Sequence, residues 1–223
     1  MRHAIPGALV VVAAAAALAT GCGSSSSSLA SKTPSQIVAA AESATRGATS
    51  YEISGSGGSS GVTSFDLKVV GADISGSYTL SGATVDLIDI SSNIYIKAPA
   101  SFYTGEGASA AGAALLGGVW VEIPASSSYA SDFSSLSSIT DIPSKLSTTT
   151  ATFTSDGTST VDGQSVVLLK DTSGDVVAIA TSGPAYILQL TSTGTDAGTY
   201  DFSNWNSVPA ITAPPNPVTL PSA

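Results

Sequence analysis

The chemistry a reader can look for first is that of thiols and imidazoles, and this chain has one of each. The single cysteine is Cys22 and the single histidine is His3. Cys22 follows Leu18-Ala19-Thr20-Gly21. Small residues directly before a cysteine let an extended backbone enter a signal peptidase, and the thiol supplies the nucleophile for transfer of a diacylglyceryl group. Upstream, Arg2 and His3 lead into twelve uncharged apolar residues, Ala8 to Ala19. That is the length of a signal-peptide core and too short to span a bilayer as a helix. Downstream, Gly23-Ser24-Ser25-Ser26-Ser27-Ser28 reads as a flexible polar tether.

The segment resembles the bacterial lipobox, with Ala19 where leucine is commonest. It predicts a signal peptide over 1–21, a lipidated Cys22 with its tether over 22–32, a single lipoprotein domain over 33–208 and a Pro-rich tail over 209–223. The expected location is the extracytoplasmic face of the cell membrane, held by acyl chains of the palmitate kind. Each buried CH2 of such a chain contributes about 0.8 kcal/mol, so two or three chains anchor stably.

Other catalytic constellations are missing. With His3 in the signal peptide, the mature chain has no imidazole for a Ser-His-Asp triad, a His-based metal site or a His general base. Ser127, Ser128 and Ser131 precede Lys145, but serine is so abundant that a Ser-Lys pairing carries little. The run Gly55-Ser56-Gly57-Gly58-Ser59-Ser60-Gly61 lacks the lysine of a phosphate-binding loop and reads as a hairpin loop. Asp171, Gly174 and Asp175 fit no calcium-ligand spacing and read as a turn. Asp86 and Asp89 are three apart and do not share a face of a regular strand. Neither a metal nor a cofactor is expected, and the chain is read as a non-enzyme.

Charge narrows the partners further. Sixteen carboxylates oppose seven Lys and Arg residues, of which Arg2 leaves with the signal peptide. The remaining cations are scattered, so no nucleic acid is expected as partner and no charge-driven binding to anionic headgroups. Usage rich in Ser, Thr, Ala and Gly would suit an actinobacterial cell envelope. With one cysteine the mature chain can form no internal disulfide, so stability rests on a packed core.

The elements that must position any site follow from periodicity. Thr33-Pro34-Ser35-Gln36 is a capping box with proline at the first helical position. Ile37, Val38, Ala41 and Ala44 then lie near one helical face, and Gly47 is a stop, which predicts a helix over Pro34–Arg46. Beyond it the period changes to two. Phe65, Leu67 and Val69 alternate with polar residues, as do Ile74, Gly76, Tyr78 and Leu80, and Val85 and Leu87. Ile88 and Ile90 then swap faces, which suggests a bulge or burial on both sides. Short gaps at 57–58, 71–72, 81–82 and 91–93 predict an antiparallel meander. From 99 to 146 the pattern breaks. Ala108 to Leu116 reads as a short helix or mobile loop, Val119 to Ile123 as a strand, and Tyr129, Phe133 and Leu136, then Ile139, Ile142 and Leu146, repeat at helical spacing. Strands return over 149–155, 164–170, 176–180, 186–190 and 199–202. The prediction is an α+β fold of ten or eleven strands. A large curved antiparallel sheet, a half-open β-barrel, carries an N-terminal helix and short helices over its concave face.

A resemblance spans most of the mature chain. The order of parts, with Ser92-Asn93-Ile94-Tyr95-Ile96, Gly118-Val119-Trp120-Val121-Glu122-Ile123, Thr160-Val161-Asp162-Gly163-Gln164, and Tyr200-Asp201-Phe202-Ser203-Asn204-Trp205 followed by Ala213-Pro214-Pro215, resembles the mycobacterial LppX/LprG-type lipoproteins. These are related in fold to the LolA/LolB carriers. The resemblance implies a half-open barrel around helices, an apolar cavity for acyl chains, and binding or transport of an envelope lipid or glycolipid without catalysis.

If such a cavity exists, its concave wall is expected at Leu67, Val69, Tyr78, Leu80, Val85 and Leu87. Leu115, Leu116, Phe133, Leu136, Ile139 and Ile142 are expected opposite, from the 99–146 insertion. Small residues there, such as Ala111, Ala113 and Ala114, would leave room for a pocket of several hundred cubic ångströms. Two other readings compete. One is a non-catalytic envelope interaction or sensor module with a filled core. The other is a wall-active enzyme using a carboxylate pair, for which no pair is assigned.

Overall fold

The first helix forms where its capping signals put it. In the computed structural model, which describes residues 28–57, 62–91, 93–123, 139–145, 151–194 and 197–219, α1 spans Pro34–Arg46. The Thr33 hydroxyl accepts from the Gln36 N–H while the Gln36 side chain accepts from the Thr33 N–H. Two of the orphan donors of the first turn are thereby satisfied. Ile37 and Ala41 are the buried face of this helix.

The strands are β1 (Ser50–Gly57), β2 (Val62–Val70), β3 (Asp73–Leu80), β4 (Ala83–Ile90), β5 (Asn93–Lys97), β6 (Val121–Ile123), β7 (Thr154–Val161), β8 (Gln164–Lys170), β9 (Val176–Ala180), β10 (Ile187–Ser192), β11 (Gly198–Ser203) and β12 (Val218–Thr219). They form one open twelve-stranded sheet in the order β12-β6-β5-β4-β3-β2-β1-β11-β10-β9-β8-β7. Every neighbouring pair is antiparallel except β6 with β12, which is parallel, so the sheet is mixed. Between β5 and β6 lie α2 (Ala100–Gly105) and α3 (Ala110–Leu116), and α4 (Ile142–Lys145) follows β6. The α+β class, the meander and the helices between β5 and β7 are as the periodicity predicts.

Two meander turns show why the hairpins close tightly. Ser81 and Gly82, and Asp162 and Gly163, all have positive φ. That backbone matches the right-handed twist of the flanking strands, and glycine at the second position adopts it without strain.

Of the two readings of Ile88 and Ile90, the structure excludes the bulge and supports burial on both faces: β4 pairs both neighbours without a register shift, so Ile88 and Ile90 lie half-buried on the face opposite Val85 and Leu87. The irregularities fall at Val62/Ser64, Ser155/Thr158 and Ile187/Gln189 instead. The strand expected over 149–155 is β7, which runs on to Val161; it is an exposed edge strand of Ser, Thr, Gly and Asp, and so lacked an apolar alternation to reveal it. The strand read from Val119 begins at Val121. Finally, the Pro-rich tail adds β12 at the sheet edge beyond Pro217, where a proline need not donate to a ladder. Tyr129, Phe133, Leu136, Leu146, Ser127, Ser128 and Ser131 lie outside the described residues. No helix among the described residues is long and apolar enough to cross a membrane.

Candidate functional site: the inner face of the sheet

Register places one continuous apolar line across the sheet. Phe202 pairs with Ile53, Ile53 with Leu67, Leu67 with Gly76, Gly76 with Leu87, Leu87 with Ile96, and Ile96 with Val121. Apart from the glycine, all of these side chains are buried. A second line runs Tyr200, Gly55, Phe65, Tyr78 and Val85, and a third runs Tyr51, Val69, Ile74, Asp89, Ile94 and Ile123. Period two brings these residues to one face, and strand pairing turns separate stripes into a wall.

The helices lie on this wall. Ile37 and Ala41 of α1, Tyr103 of α2 and Ala113 of α3 share one buried cluster with it, with Phe102, Leu116, Ile139 and Ile142 packed alongside. The Tyr51 hydroxyl donates to the Thr140 carbonyl and so ties β1 to the start of α4. Burial, with Asp141 adding a smaller effect, pushes the Tyr51 phenol up to about 12. Tyr51 also packs at 4.9 Å against Trp205, whose ring stacks on Tyr186 and whose indole N–H donates to the Ile187 carbonyl. Trp205 is therefore a packing residue with its polar edge satisfied.

Of the twelve residues expected to line a cavity, Leu67, Val69, Tyr78, Val85 and Leu87 are buried on the inner face, and Leu80 is partly buried with them. Leu116, Ile139 and Ile142 pack against the same cluster from the helices. Leu115 does not join them: it stands 78% exposed, because α3 turns its Ala113 and Leu116 positions toward the sheet. Phe133 and Leu136 lie outside the described residues.

Alternation placed Gly76 on the wall without giving the reason for a glycine, and it gave Asp89 no role there. Gly76 sits where the first line would carry a side chain, between Leu67 and Leu87. Its φ is 149°, and a Cβ there would lie 2.1 Å from the Asp66 carbonyl oxygen. The close approach of β2 requires glycine. Asp89 is the carboxylate of the third line, flanked by Ile74 and Ile94. Burial, reinforced by Asp73, holds its pKa above the ordinary carboxylate range. Alternation itself pointed to Asp89, since it shares parity with Val85 and Leu87. Burial raises the Tyr78 phenol strongly, with Glu106 and Tyr103 adding to it.

The opposite face of the same strands is polar. Glu52 and Lys68 pair across β1 and β2 at 3.7 Å, and Asp86 and Lys97 across β4 and β5 at 3.6 Å. Lys97 also lies 5.9 Å from the Trp120 ring centre. A shallow groove of about 460 Å³ runs there between Lys68, Ser75, Ser77, Asp86 and Trp120. The Asp171 carboxylate accepts from the N–H groups of Ser173 and Asp175, and Asp175 accepts from Thr193, so both serve a turn, as expected.

Two solved structures share this arrangement. The lipoprotein LppX of Mycobacterium tuberculosis matches over 80% of this chain and 100% of its own, with a TM-score of 0.54 and 19% identity. This chain has the LppX fold. LprF of Mycobacterium bovis matches over 80% of this chain and 95% of its own, with a TM-score of 0.57 and 14% identity. At these identities the likeness is one of fold alone. No family model matches the chain, and no curated protein matches it by sequence.

Proposed function

We propose that this chain is an exported lipoprotein, anchored through acyl groups on Cys22 at the extracytoplasmic face of the membrane. Its inner sheet face and helices would bind or carry a lipid or glycolipid of the envelope. The observation that carries the reading is the seven-strand apolar line from Phe202 to Val121, interrupted only by Gly76 and faced by an Ala- and Gly-rich helix, α3. The shared fold with LppX, itself a lipoprotein, supports it. Transfer of an acyl chain from a bilayer to an apolar interior is nearly neutral in hydrophobic free energy, whereas transfer to water is strongly unfavourable. A carrier of this kind needs no catalytic group, in keeping with a mature chain that lacks histidine and a free thiol.

Native mass spectrometry of the protein purified from its own host tests this directly. The expected result is a bound lipid, diminished when Leu80→Trp narrows the wall while the fold is retained. A mass spectrum of the bare chain from both proteins would favour the interaction-module reading. For the anchor, Cys22→Ser should release the protein from membranes; a variant that still fractionates with them would count against lipidation.

A further inference from the structure

We infer that the pole of the fold around Leu29, formed by the β7–β8 and β9–β10 turns and the end of α1, is the surface that faces the bilayer. The inference rests on the proposed acylation of Cys22. Its other support is where the folded chain begins. Leu29–Ser31 forms a short 3-10 turn, closed by the Ser31 N–H and hydroxyl donating to the Ser28 carbonyl. Leu29 is only 9% exposed, seated beside Ala44, Gly183 and Pro184. Ser28 lines a neighbouring groove with Thr160, Ser165 and Thr181. The chain is thus pinned to the body at Leu29 rather than at α1.

Cys22 precedes Ser28 by six residues. Fully extended, that length spans at most about 20 Å. The pole therefore cannot stand farther than this from the headgroups that receive the acyl chains. The other end of the same strands, at the β8–β9 turn Asp171–Asp175, lies seven residues of β8 away, roughly 23 Å along the strand.

Charge selects the same orientation. The lining of the two grooves beside Leu29 holds Ser, Thr, Ala, Gly, Pro, Leu and Val and no ionisable group. On the segments that form the pole, Lys32 and Arg46 are matched by Glu42 and Asp162. The far turn carries Asp171 and Asp175 beside a single cation, Lys170. An acidic chain is repelled by an anionic leaflet, and its charge-balanced pole approaches with the least electrostatic cost.

The test uses the full chain made in a host that lipidates it, where acylated Cys22 leaves an introduced cysteine as the sole thiol. Thr160→Cys and Ser182→Cys report the pole, and Thr172→Cys reports the far turn. All three positions are exposed. Each variant is labelled with a fluorophore and placed on phosphatidylglycerol–phosphatidylethanolamine vesicles whose headgroups carry a spin-label quencher. The expected result is loss of most fluorescence at 160 and 182, with the label at 172 nearly unaffected. Equal quenching at all three sites, or none at 160 and 182 in protein that floats with the vesicles, overturns the orientation and leaves the anchor standing. Protein that does not float with the vesicles overturns the anchor, and the orientation with it.

Discussion

β2, β3 and β4 bury one face, whereas β8, β9 and β10 bury both. In β2 the buried positions Phe65, Leu67 and Val69 alternate with exposed Ser64, Asp66 and Lys68. In β8, Val167 and Leu169 join the main core while Val166 and Leu168 enter a second cluster with Ala178, Ala180 and Leu188. The Leu29–Ser31 turn lies against β8. The comparison teaches where each part of the sheet is committed. The β8–β10 end is packed on both sides and receives the start of the folded chain. The β2–β4 end keeps a polar face in solvent and gives its whole apolar face to the helices. An antiparallel sheet with one solvated face commits its apolar side chains to one covering layer, and a two-sided one commits them to two.

The largest effect that would break this contrast is expected at Leu67. Leu67→Ala should cost about 2–5 kcal/mol in urea unfolding, as for a fully buried leucine. Its neighbour Lys68→Ala should stay within about 0.5 kcal/mol, since the Glu52–Lys68 bridge is a surface pair. Comparable losses at both sites would mean that the polar face is also covered.

Gly76→Ala comes next. The added methyl group meets the backbone of β2, and the residue keeps a positive φ that alanine rarely adopts. A destabilisation of about 3 kcal/mol is expected, the upper end for a residue held in sparse backbone space. An unchanged denaturation midpoint would mean that β2 and β3 can separate there freely.

For the two-sided region, Val166→Ala and Val167→Ala should each cost about 2 kcal/mol, despite pointing to opposite faces. If only Val167→Ala destabilises, the second cluster contributes little and the two ends of the sheet are more alike than their burial implies.

The smallest effect sharpens the picture of the wall itself. Asp89 has a pKa raised in the fold, so between the unfolded and folded values the native state binds more protons than the unfolded state. Its contribution therefore favours folding at acid pH and is lost as pH rises through the folded pKa. Asp89→Asn should raise the midpoint of thermal unfolding slightly at neutral pH, and that gain should vanish on acidification below the carboxylate range. A gain that does not depend on pH would trace to packing rather than to the charge.

Local signals were legible where one short segment contains all the partners. The capping box of Thr33 and Gln36, the helix to Arg46, and the Asp162-Gly163 turn each close within a few residues. Alternation likewise assigned Leu67, Val69, Tyr78, Val85 and Leu87 to one face. It caught only the start of β7, whose edge position asks for no apolar side chains, and it left Ile88 and Ile90 open because partial burial on an outer face looks the same as a bulge. Leu115 and Leu116 are adjacent leucines, and only the docking of α3 decides that Leu116 packs and Leu115 does not.

The sequence by itself determined that the one histidine and the one cysteine stand at positions 3 and 22, that an uncharged apolar run precedes Cys22, and that alternation gives the sheet two unlike faces. These depend on residue type and spacing alone. Tertiary structure decided the strand order that sets β1 beside β11, the line from Phe202 to Val121, the place of Gly76 within it, and the half-burial of Asp89 between two isoleucines. Those depend on which strands pair and in what register. The pairing of β1 with β11 joins segments about 150 residues apart, which no local pattern encodes, and the register within each neighbouring hairpin is fixed only when both strands pair.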